Sequence, residues 1–79
     1  MRDKAIGTIC RAIILSNGQR VNKCSREIGE AAGIPAGTWY RKIRKPWTFS
    51  AGELASVIEV TRMPQADIIE LIKLIGNGA

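Results

Sequence analysis

Apolar residues recur along this chain at spacings of three and four, the period of helices that bury one face. Ile6, Ile9, Cys10, Ile13 and Ile14 form the first such stripe. They predict a helix from about Asp3 to Leu15, ended by the turn pair Asn17-Gly18. A second helix is expected over about Cys24 to Ala32, with Asn22 or Cys24 near its cap and Ile28, Ala31 and Ala32 on one face. Gly33 stops it, because glycine accepts the left-handed backbone that closes a helix. Pro35 then suits the start of a third helix, expected to about Arg44, whose inner face carries Trp39 and Ile43 four residues apart. Ser50-Ala51-Gly52-Glu53 reads as a capping box opening a fourth helix, with Phe49 stapled onto Leu54 and a buried face of Leu54, Val57 and Ile58. The fifth helix is expected from about Pro64 to Ile75, with Gly76 beyond its end. No segment alternates as a strand does, so the pattern predicts an all-α fold of five helices.

The fifth helix is apolar around most of its circumference. Ile68, Leu71, Ile72 and Ile75 are expected to cover the core. Ile69 and Leu74 then face outward, and a second copy of the chain is the expected cover. A length of 79 residues fits one small domain, residues 1–79, with an aliphatic core around Trp39 and Phe49. No run approaches the length of a membrane span, and the opening Met-Arg-Asp-Lys-Ala-Ile-Gly lacks signal-peptide character, so a cytoplasmic protein is expected. With two cysteines and no histidine the usual zinc sets are excluded, and no cofactor is expected. Cys10 reads as a small core residue. An enzyme is not expected: no nucleophile stands with a base at a useful spacing, and no glycine loop suits a phosphate.

Charge changes the picture. Residues 1–49 hold 10 of the 12 Lys and Arg and 3 of the 7 acids, for a net +7, while residues 50–79 carry a net −2. The basic half contains the run Arg41-Lys42-Ile43-Arg44-Lys45 at the end of the third helix. Two short helices, a glycine turn and a cationic outer face describe a helix-turn-helix over about residues 24–44, a shape whose second helix enters a DNA major groove.

The stretch Ser25 to Ile43, SREIGEAAGIPAGTWYRKI, resembles the Cro and lambda-repressor-like helix-turn-helix family of phage and prophage regulators. The small residue inside the motif's first helix is Gly29, where that family usually has Ala; Gly33, Ile34 and the buried Trp39 follow at the family's spacing. The resemblance runs over roughly residues 23 to 70. The chain departs from it at Pro35, where Ser or Thr often caps the recognition helix, and at Ala36 and Gly37, where longer polar residues often touch bases. The resemblance implies a compact lambda-repressor-like domain that binds double-stranded DNA as a transcriptional repressor, dimeric on a palindromic site, with no small-molecule substrate.

On that expectation Arg41 is the first candidate for a base contact, since its planar fork can donate twice to guanine. Ala36, Gly37, Thr38 and Tyr40 share the groove-facing surface. Lys23, Arg26, Arg44 and Lys45 are the expected phosphate contacts, and Ile69 and Leu74 the expected dimer contacts. Trp47 is expected to pack beside Phe49, with the sugar-phosphate backbone as its alternative place. The rival function is a protein-interaction module of the same fold, an antitoxin or adaptor docking through its last helix.

Overall fold

A computed structural model describes residues 2–78 of the chain, and the side chains of residues 4–76. Among the described residues run five α-helices and no strand: α1 Arg2–Arg20, α2 Ser25–Ala31, α3 Ala36–Arg44, α4 Ala51–Thr61 and α5 Gln65–Gly78. A 3₁₀ turn, Pro46–Thr48, joins α3 to α4. The all-α expectation of five helices holds. The expected domain of residues 1–79 includes Met1 and Ala79, which lie outside the described residues.

α1 is the central element, and the other four helices and the 3₁₀ turn all pack against it. One core gathers Cys10 and Ile14 from α1, Ile28 from α2, Ile34, Trp39 and Ile43 around α3, Val57 from α4, Met63, and Leu71 from α5. Cys10 is fully buried, and burial pushes its thiol pKa up.

The local signals act as the chemistry requires. Gly33 has φ +77°, the left-handed geometry that closes α2. Pro35 is the N-cap of α3 with φ −57°. Ser50 Oγ accepts from the Glu53 amide at 3.1 Å, and Glu53 Oε1 accepts from the Ser50 amide at 2.9 Å, so the capping box is closed. Phe49 and Leu54 both pack on the core. Trp47 is half-buried and lies against α1 at Gly7.

Several expectations are corrected. α1 does not end at Leu15; it runs on through Asn17-Gly18 to Arg20. Both residues are buried, because Asn17 Nδ2 donates to Asp67 Oδ2 at 2.9 Å and Gly18 lies directly against Ile28. A buried amide with a fixed partner stabilises the helix where a solvated Asn-Gly pair would end it. Ile9 stands outside the α1 stripe and is 47% exposed. Ala31 is also exposed, leaving Ile28 and Gly29 as the buried residues of α2. α5 does not stop before Gly76 but continues to Gly78. Its inner face is Asp67, Ile68, Leu71, Leu74 and Ile75. Leu74 therefore packs on the core instead of facing outward, and Ile72, expected inside, is 53% exposed. The turned stripe follows from Asp67, which must face α1 to reach Asn17 and carries the helix face with it.

Candidate nucleic-acid interface

The face in question is made by α3. Trp39 and Ile43 anchor the helix in the core. The Trp39 indole Nε1 donates to Ser25 Oγ at 2.9 Å, and its ring lies 5.7 Å from that of Phe49. Anchoring these two positions forces the residues between them outward. Ala36, Gly37, Tyr40, Arg41 and Arg44 are all exposed, and Thr38 is half-buried at the side. The space around Gly37 is open.

Beside this face lies a groove of about 670 Å³, lined by Tyr40, Arg41, Lys42, Arg44, Lys45 and Thr48. Four of its six lining residues are Lys or Arg, and among the described residues no carboxylate lines it. Lys42 is held by Glu53, Nζ to Oε1 at 2.6 Å, which ties α3 to the start of α4. The Lys42 ammonium, then the Ser50 amide, hold the Glu53 carboxyl below the usual carboxylate range. Among the described residues no ion pair occupies Arg41, Arg44 or Lys45. All three are exposed, and Tyr40, 49% exposed, adds a flat ring and a hydroxyl beside them.

Two of the expected phosphate residues stand apart. Lys23 lines a separate recess of about 380 Å³ with Gln19, Asn22, Cys24 and Glu27. Arg26 lies 4.0 Å from Glu30 on the open surface, a pair that solvent makes weak. The structure therefore brings Tyr40, Arg41, Arg44 and Lys45 together and leaves Lys23 and Arg26 outside the groove. It also adds Thr48, whose place depends on the 3₁₀ turn after Pro46. Lys4 and Arg11 on α1 come close to Arg44 as well. Their spacing of seven residues puts them on one helical face, a periodic signal carried by charge instead of hydrophobicity.

The arrangement suits a polyanion. Among the described residues no group of three or more His, Cys, Asp or Glu gathers as a metal site would require. Among them no helix is long and apolar enough to cross a membrane. No protein-family model matches the chain, and comparison with curated proteins and with solved structures returns no match.

Proposed function

We propose that this chain is a sequence-specific double-stranded DNA-binding regulator of transcription, a repressor of phage or prophage type that acts in the cytoplasm. In this reading α2, the Gly33 turn and α3 act as a helix-turn-helix and α3 enters the major groove. The observation that carries it is the outward cationic face of α3, with Tyr40, Arg41, Arg44 and Lys45 beside a groove that, among the described residues, no carboxylate lines. Arg41 is the base contact, Arg44 and Lys45 hold phosphates, and the short Ala36, Gly37 and Thr38 let the helix approach base edges. Lys23 and Arg26 reach the phosphates flanking the groove. A palindromic operator then takes two copies, one per half-site.

Binding-site selection from random duplex, followed by titration at several salt concentrations, tests the reading. Log K should fall linearly with log salt, by about 0.9 for each phosphate neutralised. Arg41→Ala should cost about 1–3 kcal/mol on the selected site and much less on random duplex. Salt-independent affinity, or no selected sequence, would overturn it. The rival, a protein-interaction module docking through α5, is favoured by the exposed Ile69 and Ile72 alone. Retained partner capture without any duplex affinity would decide for it.

A further inference from the structure

The groove beside α3 does not end at α3. A second recess, about 270 Å³, opens between α1, α2 and α3 and is lined by Arg11, Ser25, Tyr40, Ile43 and Arg44. A third, about 180 Å³, lies along α1 and is lined by Lys4, Gly7, Thr8, Arg11 and Arg44. The first two share Tyr40 and Arg44, the last two share Arg11 and Arg44. Arg44 is thus the corner of one continuous strip, and among the described side chains no acidic residue lines any part of it.

Gly7 makes the strip continuous. A Cβ built there would lie 2.9 Å from the Arg44 carbonyl oxygen, a contact with backbone that cannot give way. Only a residue without a side chain lets α1 pass this close to the end of α3. Ser25 is also prepared: its Oγ accepts from Trp39, so its own proton remains to donate into the recess. Lys4 and Arg11 are exposed, and seven residues of helix place them about 10.5 Å apart along α1. A strand carries one phosphate at every step, so a backbone passing along α1 can offer Lys4 and Arg11 different phosphates.

We propose that the sugar-phosphate backbone of a bound duplex runs from the α3 groove past Arg44 and along α1, with Arg11 and Lys4 as phosphate contacts. This extends the DNA-binding reading above and rests on it. Arg44 and Arg11 meet successive phosphates at the recess, Ser25 and Tyr40 donate there through their hydroxyls, and Lys4 meets a phosphate further along.

The test compares wild type, Arg11→Ala with Lys4→Ala, and Lys73→Ala on selected and random duplex, with Tm measured for each. Lys73 is exposed on α5, so its loss removes a charge away from the strip. Losing two phosphate contacts should lower the salt slope by about 1.8, so a fourfold rise in salt costs the double variant about 12-fold less affinity than it costs wild type. The loss should be alike on both duplexes, with Tm unchanged. A double variant that behaves like Lys73→Ala while wild type binds salt-dependently overturns the strip and leaves the DNA-binding reading standing. A loss confined to the selected duplex overturns the phosphate role for these residues. No duplex binding by wild type fails the DNA-binding reading itself, and the strip with it.

Discussion

Gly29 and Trp39 occupy one space. A Cβ on Gly29 would lie 2.7 Å from Trp39 Cγ, at the root of a ring pinned by Ser25 on one side and Phe49 on the other. The helix itself would gain about 1 kcal/mol from Ala in place of Gly. Overpacking a fixed core typically costs 1–3 kcal/mol, and here the obstructing atom cannot swing away, so the steric effect wins. Gly29→Ala should therefore lower stability by up to about 2 kcal/mol, read as a Tm fall of roughly 4–8 °C per kcal/mol in thermal melts. Combined with Trp39→Leu, which vacates the space, the loss should be smaller than the sum of the two single losses. A Gly29→Ala variant with an unchanged or raised Tm would show that the ring does not rest on this helix. Trp39→Ala should cost about 3–5 kcal/mol. A domain of 79 residues holds about 4–12 kcal/mol in all, so that variant approaches unfolding.

At the scale of helices, the starts depend on two glutamates. Glu53 accepts from the Ser50 amide and holds Lys42; Glu27 accepts from the Cys24 amide at 2.9 Å. The Lys42 ammonium chiefly depresses the Glu53 pKa; for Glu27 the Cys24 amide does so, then its thiol. A carboxyl whose folded pKa lies below its unfolded one contributes stability above the unfolded value and loses it as pH falls through the folded value. Stability should stay level from neutral pH down to about 5, then drop below about 4.3. Glu53→Gln should be less stable at neutral pH and lose less on acidification; melts across pH 3–7 check both, and an equally steep acid loss in Glu53→Gln would show that Glu53 is not responsible. Such starts were legible because a capping box closes within four residues. The ends were not. Asn17-Gly18 reads as a turn until Asp67, fifty residues on, supplies the partner that keeps Asn17 in a helix. α4 ends at Arg62 in the left-handed region, φ 50°, with no glycine to announce it. The outer face of α3 could be read from spacing around Trp39 and Ile43. The neighbouring cations of α1 could not, because their place depends on how closely α1 passes α3.

At the scale of the molecule, the proposed function requires one small body to read a two-fold site. Its principal extents are 30 × 28 × 19 Å, and half-sites one DNA turn apart are separated by about 34 Å. On the proposed reading one copy would span one half-site, and a palindrome would take two copies. The apolar side chains available for pairing on α5 are Ile69 and Ile72, 47% and 53% exposed, three residues apart on the outer face. Together they expose about as much as one whole isoleucine. Burying that on each copy contributes roughly 3–6 kcal/mol for the pair, taking 1.5–3 for one such side chain. Association costs about 4–15 kcal/mol in lost freedom, so the contact alone makes a weak dimer in free solution. On a palindrome the two copies are already adjacent and most of that cost has been met by DNA contacts. The expected behaviour is a free protein that is largely monomeric at low micromolar concentration and binds a palindrome cooperatively. Replacing Ile69 and Ile72 with Glu should abolish the cooperativity. Half-site affinity should hold within a small factor, and Tm should hold too, since neither side chain belongs to the core. Half-site and palindrome titrations, with sedimentation of the free protein, read all three quantities. Wild-type protein that fills the two half-sites independently, with the same affinities as the double variant, would rule this pairing out.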